Sequence, residues 1–506
     1  MDWIGSRYVD NRCTLFQGES GVLLDIPSLP GIYGVGEIGP HALKFIKVLH
    51  DTGQKLWHVL SLHTFHPERL FTGTSYGWNT SLISFAWLRD DALISQEELS
   101  LFQECLPKTN GSIEAVYDLR NRFLSYVAEN FDQRASPKLR GEFIAFQKYH
   151  HLWLNKFSLF QTLGEEFGGK AWYEWPDRLR SFDHLAIEAA QKQLAEKIHR
   201  KNVLQFLFLR YWERLHSEAQ YLGIRIILSV PVFVLHNSYE LWANQSLFFV
   251  DGEGRMTATS GFPPSKKMEH GKRFAGPQYR WNRIKAEAYK FWINRLRREL
   301  QVVDMVLLEN FHALFECHEF PVEGGEEGMA NGRLVPTGDQ HLLECVFETL
   351  QTKNIIAGDF MMSNLKMERA IGHGEMANAV AMPFCFSKEK GATMQVLPKY
   401  YTRGHIAYTS NYFSDSLLRW LKRFTGPLTL EMRKELQRCF GTALNGVNRN
   451  ALLTLRNSNA GAVMTTLQDL LEVECDGDTF LSWRFTWDQI DDVIKTRLLQ
   501  FSQRGS

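Results

Sequence analysis

One glycine-rich segment has the spacing of a phosphate-binding loop. Residues 34–39 read G-V-G-E-I-G and match the G-x-G-x-x-G pattern in which backbone amides approach the pyrophosphate of a dinucleotide. That function requires the pattern to follow a strand directly and to open a helix. Here the pattern follows a turn that contains Pro27 and Pro30, so the context does not favour a nicotinamide site. We predict no nucleotide cofactor.

Histidine is the other residue type whose spacing could mark a chemical centre. Three loose groups occur along the chain: His58, His63 and His66; His150 and His151; and His312 and His318, with Cys317 nearby. None of them has the H-E-x-x-H arrangement or the closed four-ligand spacing of a zinc site. We therefore interpret these histidines as core or surface residues and predict no metal.

Charge and composition argue against several classes of partner. The chain has 506 residues with 57 basic and 57 acidic side chains, so its formal net charge is zero. Proteins that bind nucleic acid or anionic membranes rely on a basic excess, so neither partner is expected. No apolar run is long enough to cross a bilayer, and the seven scattered cysteines form no C-x-x-C pair. We expect a cytoplasmic protein with reduced thiols.

Short β-type runs, separated by longer helical patterns, are the elements that must position any site. This alternation predicts a parallel sheet with crossover helices. The runs are 21–26, 55–62, 225–235, 305–311, 354–360, 377–384, 406–412 and 462–467. Eight runs are what a (β/α)8 TIM barrel needs, so we predict an α/β fold with one barrel over residues 1–506. The helical patterns after the second run predict an insertion subdomain over residues 64–200.

Several phrases in the sequence follow one another in the order found in a known family. They are S-L-P-G-I-Y-G-V-G-E-I-G-P-H-A (28–42), G-Q-K-L-W-H-V-L (53–60), W-Y-E-W-P (172–176), L-G-I-R-I-I-L-S-V-P-V-F-V-L-H-N-S-Y-E-L-W-A-N (222–244), G-K-R-F-A-G-P-Q-Y-R-W (271–281) and F-H-A-L-F-E-C-H-E-F-P (311–321). Together they resemble the amylomaltases, which are 4-α-glucanotransferases of the α-amylase clan. The resemblance extends over almost the whole chain.

The resemblance implies a barrel with helical insertions and a retaining transfer of α-1,4-glucan segments. Such a transfer needs one carboxylate as nucleophile and a second carboxyl as acid and base, about 5 Å apart. In the family, a third carboxylate helps to hold the distorted sugar, and an Arg two residues before the nucleophile orients it. The expected partner is an α-1,4-glucan or a maltooligosaccharide.

This chain carries other residues at the positions that match the catalytic motifs. The family's R-I-D-H-F-R reads L-L-E-N-F-H, with Leu307 at the Arg position and Glu309 at the nucleophile position. The family's A-E-D-L-G reads A-G-D-F-M, with Gly358 at the acid/base position. Phe413 stands at the third carboxylate, and Ser229 replaces the Asp of the G-D-x-P stretch. The substitutions predict a loss of catalytic power.

Aromatic side chains are the candidate platforms for sugar rings. They make up 13% of the chain and include 14 Trp. Flat rings stack on the C–H faces of sugars, and they also fill cores, so packing is the alternative interpretation for each of them. The substrate-binding candidates are Tyr33, Trp172, Trp175, Trp242, Phe274 and Trp483.

Three functional hypotheses follow. The first is a catalytically impaired homologue that keeps the barrel and binds glucan in glycogen or maltodextrin metabolism. The second is an active transferase with Glu309 as nucleophile and an acid that reaches in from a loop, for which Glu323, Glu326 and Glu327 are the candidates. The third is an interaction protein that does not touch glucan, which burial of the tryptophans would favour.

Overall fold

Eight parallel strands close into a barrel at the centre of the structure. The computed structural model describes residues 15–63, 76–106, 113–262, 272–322, 332–338, 340–358, 376–386, 397–412, 414–423, 430–441, 446–476 and 483–503. Around the barrel the strands are β1 (Glu19–Leu23), β2 (Leu56–Val59), β3 (Arg225–Pro231), β6 (Met305–Glu309), β9 (Ile355–Gly358), β10 (Ala377–Ala381), β11 (His405–Tyr408) and β12 (Ala462–Thr466), numbered in chain order. Parallel pairing of β12 with β1 closes the ring. The predicted (β/α)8 barrel is confirmed, and each predicted run overlaps one of these strands.

A small antiparallel sheet is built from the segments that follow two of the barrel strands. Its strands are β4 (Ala258–Phe262), β5 (Lys272–Pro277), β7 (Glu316–Pro321) and β8 (Arg333–Pro336), in the order β5-β4-β7-β8. The segments leave the carboxyl ends of β3 and β6, which is the end of a TIM barrel where active sites form. We call this end the barrel mouth.

Helices surround the barrel and fill the long connection between β2 and β3. The helix after β1 is α1 (Pro40–Asp51). The helices between β2 and β3 are α2 (Phe85–Asp90), α3 (Gln96–Cys105), α4 (Ile113–Arg134), α5 (Pro137–Tyr149), α6 (Leu154–Glu166), α7 (Asp177–Arg180), α8 (His184–Gln193) and α9 (Ala195–Tyr221). The later helices are α10 (Tyr239–Ala243), α11 (Trp281–Ala286), α12 (Lys290–Leu300), α13 (Gln340–Leu350), α14 (Leu417–Arg423), α15 (Leu430–Phe440), α16 (Val447–Arg456), α17 (Leu467–Leu470) and α18 (Asp492–Ser502). Among the described helices, none has the length and apolar character needed to cross a membrane.

Local sequence fixes where several of these helices begin. Ser95 and Glu98 form a capping box at the start of α3, in which each side chain bonds to the backbone amide of the other residue. Ser136 caps α5, whose first residue is Pro137. Proline is favoured at that position because its missing N–H needs no intrahelical partner.

The interior of the barrel is filled by every second residue of its strands. Side chains alternate between the two faces of a strand, so one set points to the barrel axis and the other to the helices. The inward set forms its own apolar cluster, which includes Leu23, Leu56, Ile227, Met305, Leu307, Ile356, Ala377, Ala379, Ala381, Ile406, Tyr408, Ala462 and Met464. Packed side chains rather than a pore therefore occupy the space below the mouth.

Close backbone packing accounts for the glycines of residues 34–39. Gly34 has φ +91°, in the left-handed region that favours glycine. A Cβ atom at Gly36 would lie 2.1 Å from the carbonyl oxygen of Ile26, and one at Gly39 would lie 2.4 Å from Ser84 Oγ. The motif is thus a tight turn packed against Ile26, which follows β1, and against Ser84 at the start of α2.

A buried arginine joins the helical insertion to this turn. Arg120 of α4 is fully buried and donates hydrogen bonds to the carbonyl oxygens of Tyr33, Ser81 and Ile83 at 2.8 to 3.1 Å. Its Nη2 also donates to Glu37 Oε1 at 2.9 Å. Each donor atom is directed to an acceptor, so the charge is compensated inside the protein.

We expect the Arg120→Ala substitution to destabilise the fold by about 3–5 kcal/mol, because it leaves the Glu37 carboxylate buried without its cation. Chemical denaturation would measure the loss. Arg122→Ala is the matched control, since Arg122 is exposed on the same helix, and it should change stability by less than about 0.5 kcal/mol. Equal effects of the two variants would contradict the structural role given to Arg120.

Candidate functional site

Glu309 lies at the mouth of the barrel, at the last position of β6. Its strand neighbours there are Pro231 on β3 and Gly358 on β9. Glu309 lies two residues after Leu307 and four after Met305 on the same strand. Its side chain therefore points to the barrel axis, as theirs do. Only 2% of the residue is exposed. The position matches what a barrel nucleophile requires, but the carboxyl is not open to solvent.

A chain of buried hydrogen bonds fills the mouth around Glu309. Tyr408 OH bonds to His58 Nδ1 at 3.1 Å, and His58 Nε2 bonds to Ser229 Oγ at 3.0 Å. Ser229 Oγ lies 3.3 Å from Tyr412 OH, which donates to Glu309 Oε1. All five residues are at most 3% exposed. We call this group the mouth chain.

Burial favours the neutral forms of Glu309 and His58 in the mouth chain. Burial raises the pKa of Glu309 from 4.5 to about 8, although the hydrogen bond with Ser229 opposes the shift. Burial also lowers the pKa of His58 to about 3. The shift favours the protonated form of Glu309 near neutral pH, and a protonated carboxyl is a poor nucleophile. Its second oxygen, Oε2, has no hydrogen-bond partner within the described part of the chain.

Gly358, the predicted acid/base position, has no space for a side chain unless its neighbours move. A Cβ atom there would lie 2.2 Å from Leu307 Cδ2 and 2.8 Å from the carbonyl oxygen of Leu308. Contacts this short do not occur between real side chains, so Leu307 already occupies the volume beside Gly358. Phe413, at the third carboxylate position, lies outside the described residues, as do the loop residues Glu323, Glu326 and Glu327.

The three tryptophans predicted as sugar platforms are core residues, and that prediction is wrong. Trp172 and Trp242 are 0% exposed and Trp175 is 2% exposed. Their indole N–H groups donate to backbone carbonyls of His236, Lys170 and Leu179 at 2.7 to 3.0 Å. A ring with no exposed face cannot stack on a sugar, and a satisfied N–H group leaves nothing to offer a ligand.

Of the other three aromatic candidates, one is a core residue and two are half-buried. Tyr33 is only 6% exposed and packs against Phe85, with ring centroids 5.6 Å apart, so it is also a core residue. Phe274 on β5 is half-buried and stacks on Phe233 at 4.6 Å. Trp483 is half-buried and stacks near Phe485 at 6.4 Å. Phe274 and Trp483 therefore stay candidates for contact with a sugar.

One carboxyl at the mouth was missed by sequence reasoning. Asp25 follows β1, is 7% exposed and accepts hydrogen bonds from the backbone amides of Ile26 and Leu60. Burial raises its pKa from 3.8 to about 7. The signal was present in the sequence, because Asp25 is the second-to-last residue of the predicted run 21–26 and so lies at the carboxyl end of a barrel strand.

A second buried carboxyl, Asp469, has a structural role. It accepts hydrogen bonds from Thr409 Oγ1 at 2.6 Å, from Ser410 Oγ and from the Leu417 amide at 2.7 Å. These bonds tie the end of β11 to the start of α14. Within the described residues, no group of three or more His, Cys, Asp or Glu side chains is arranged to hold a metal ion.

Comparison with known protein families gives one consistent result. The family model described as 4-alpha-glucanotransferase matches residues 24–479. The 4-alpha-glucanotransferase of Thermus thermophilus is 30% identical over 411 residues, which cover 80% of this chain and 80% of that protein. The 4-alpha-glucanotransferase of Streptococcus pneumoniae serotype 4 is 28% identical over 502 residues, which cover 96% of each chain.

Solved structures agree on the fold. The amylomaltase from Streptococcus agalactiae in complex with acarbose superposes with a TM-score of 0.86 at 24% identity, over 96% of this chain and 100% of that one. The amylomaltase from Corynebacterium glutamicum has a TM-score of 0.72 at 14% identity, over 96% of this chain and 75% of that one. At these identities the similarity supports the barrel architecture.

The packing of Gly358 against Leu307 predicts strong coupling between these two positions. We expect Gly358→Ala to cost about 1–3 kcal/mol because of overpacking and Leu307→Ala to cost about 2–5 kcal/mol because of the cavity it leaves. The double variant should lose about 1–2 kcal/mol less than the sum, since the smaller side chain makes room for the new methyl group. Denaturation of all three variants measures the cycle.

The control for this cycle is Gly141→Ala in α5, where an added Cβ meets no atom within 4 Å. It should raise stability by roughly 0.5–1 kcal/mol, because alanine is a better helix former than glycine. Additive behaviour of Gly358→Ala and Leu307→Ala would show that the two side chains do not share the same volume.

The raised pKa of Glu309 predicts a specific pH dependence of stability. Between pH 4.5 and about 8 the unfolded chain has released the Glu309 proton while the folded chain retains it. Stability of the wild type should therefore fall with rising pH, relative to Glu309→Gln, by roughly 1 kcal/mol per pH unit. Denaturation of both proteins at pH 5, 6.5 and 8 measures the difference, which should level off above the folded pKa.

Glu188→Gln, at an exposed position of α8, is the matched control and should show no such difference. If the stabilities of wild type and Glu309→Gln change in parallel across this pH range, the pKa of Glu309 is not raised in the folded protein. The prediction that its carboxyl is neutral there would then be wrong.

Proposed function

The chain belongs to the 4-alpha-glucanotransferase family, and from that premise we propose that it binds α-1,4-glucans at the barrel mouth but transfers them poorly or not at all. It would then serve glycogen or maltodextrin metabolism as a glucan-binding protein. The observation that carries the proposal is the filled volume beside Gly358, where the resemblance places the acid/base carboxyl.

Loss of the proton donor has a large expected effect on the rate. General acid catalysis contributes typically about 10²–10⁴-fold, because the leaving oxygen of a glycoside must be protonated as its bond breaks. The protonation of Glu309 at neutral pH adds a second obstacle, since its proton must leave before the carboxylate can attack. The two losses act on the same step, so they are not additive.

Support for glucan binding comes from Phe274 and Trp483, the two aromatic candidates that are half-buried rather than buried. Phe274 stacks on Phe233, which follows β3, so the pair stands at the mouth end of the barrel. A half-buried aromatic side chain at this end of the barrel is suited to contact the C–H face of a sugar. The burial of Trp172, Trp175 and Trp242 reduces the platform to fewer residues than the sequence predicted.

Asp25 favours a second candidate function, an active transferase with a reorganised site. It is a buried carboxyl at the mouth, and its pKa of about 7 is suitable for a general acid at physiological pH. In this alternative, Glu309 would act as nucleophile once deprotonated, and Asp25 would replace the missing acid/base.

Incubation with maltotriose tests both functions. We expect the purified wild type to form neither glucose nor longer maltooligosaccharides over many hours, because no carboxyl stands at position 358 to protonate the leaving group. Chromatography of the products, with Glu309→Ala in parallel, is the measurement. Products that vanish in Glu309→Ala would overturn the impaired-enzyme proposal, and their loss in Asp25→Asn as well would support the reorganised site.

Calorimetric titration of the same protein with maltoheptaose separates the binding part of the proposal from its catalytic part. A saturable signal without turnover would support a glucan-binding homologue. The absence of both heat and turnover would favour the third hypothesis, an interaction protein that does not touch glucan.

A further inference from the structure

Two tyrosine side chains from the same wall of the barrel cross its interior at different heights. Tyr408 is the last residue of β11, and Tyr412 follows it nearer the mouth. Tyr408 OH bonds to His58 of β2, three strands away in one direction around the ring. Tyr412 OH donates to Glu309 of β6, three strands away in the other direction, and lies 3.3 Å from Ser229 Oγ of β3, the strand directly opposite β11. Tyr412 therefore spans the width of the barrel at the level of Glu309.

Packing holds the ring of Tyr412 in this position. The residue is buried and belongs to the inward apolar cluster, together with Leu60, Tyr408 and Cys475, which are also buried. Side chains in such an interior are close-packed, so the ring has little space in which to turn. Because the cluster holds the ring and the opposite wall holds the hydroxyl, the phenol has one defined place across the centre of the mouth.

Neither carboxyl oxygen of Glu309 is open to a ligand. Oε1 accepts the hydrogen bond from Tyr412, and Oε2 is buried. A sugar carbon that is about to react must lie about 3–3.5 Å from the attacking oxygen. The phenol of Tyr412 already occupies the place beside Oε1, so a sugar ring cannot approach this carboxyl until the phenol moves away.

We propose that Tyr412 is a specificity-determining residue that bars ligands from Glu309 and confines a bound glucan to the part of the mouth outside its ring. The statement about glucan rests on the function proposed above, whereas the access of small molecules to Glu309 can be measured without any glucan. The ring fills the space and the hydroxyl only anchors it. Removal of the hydroxyl alone should therefore leave Glu309 covered, and removal of the ring should uncover it.

Chemical labelling of carboxyl groups measures the access to Glu309. A water-soluble carbodiimide with glycinamide converts carboxyl groups into amides, and peptide mass spectrometry locates them. The reagent activates the protonated form of a carboxyl, which burial favours in Glu309. The proteins are the wild type, Tyr412→Phe, Tyr412→Leu, Tyr412→Ala and the control Tyr221→Ala, which changes an exposed tyrosine at the end of α9. The exposed Glu188 of each protein is the internal reference.

We expect the labelling of Glu309, relative to Glu188, to rise at least about tenfold in Tyr412→Ala and Tyr412→Leu. Tyr412→Phe and Tyr221→Ala should be labelled like the wild type. Tyr412→Leu keeps an apolar side chain on the inward cluster but is too short to cross the barrel, so it separates the loss of cover from a loss of folding. Circular dichroism of each variant checks that it is folded.

Two results would overturn the role given to Tyr412. One is labelling of Glu309 in the wild type at the rate of Glu188, and the other is a Glu309 that stays unlabelled in folded Tyr412→Leu and Tyr412→Ala.

Repeating the labelling of Tyr412→Leu with saturating maltoheptaose tests the confinement of the glucan. The glucan should enter the opened space and lower the labelling of Glu309 at least about tenfold. A glucan that binds by calorimetry but leaves the labelling unchanged would overturn the confinement. If calorimetry shows no glucan binding to either protein, the function proposed for the mouth fails, and the labelling without glucan still decides whether Tyr412 covers Glu309.

Discussion

The register between β6 and β9 sets the chemistry of the barrel mouth. It places Glu309 opposite Gly358. The Leu307 side chain, two residues earlier on the same face of β6, therefore lies beside Gly358, where a Cβ atom would be. A closed barrel has little freedom to adjust such a pair, because each strand is held by two neighbours and the interior is packed to high density. The volume that an acid/base residue would need is thus already part of the core.

Two buried carboxyls, Asp469 and Glu309, differ in the hydrogen-bond donors that surround them. Asp469 is held by hydroxyl and amide donors from β11 and α14, which compensate for its removal from water. Glu309 receives hydroxyl donors from Tyr412 and Ser229, and it forms no ion pair with a cation among the described residues. Burial of this kind raises the pKa of a carboxyl and favours its protonated form. The mouth chain thus surrounds Glu309 with buried hydrogen-bonding groups and leaves little of it exposed to solvent.

The barrel itself was readable from the sequence, because strands buried on both faces appear as short apolar runs and their number was right. The roles of individual side chains were not readable in the same way. Trp172 and Trp242 occur in phrases shared with a carbohydrate-active family, yet their N–H groups are satisfied by carbonyls more than sixty residues away. The contact between Tyr408 and His58 spans 350 residues. Asp25 is the exception, since its place at a strand end could have been read directly.

The changes at the mouth fit one another in volume as well as in charge. Leu307 fills the space beside Gly358, and the phenol of Tyr412 reaches Glu309 across the barrel axis. Together, these two side chains fill the space around Gly358 and Glu309. A carboxyl at position 358 would have no room while Leu307 keeps its present orientation. Glu309 would also remain neutral while Tyr412 and the apolar cluster exclude water from it. A change at any one of these positions should therefore affect the others, because their side chains share one packed volume.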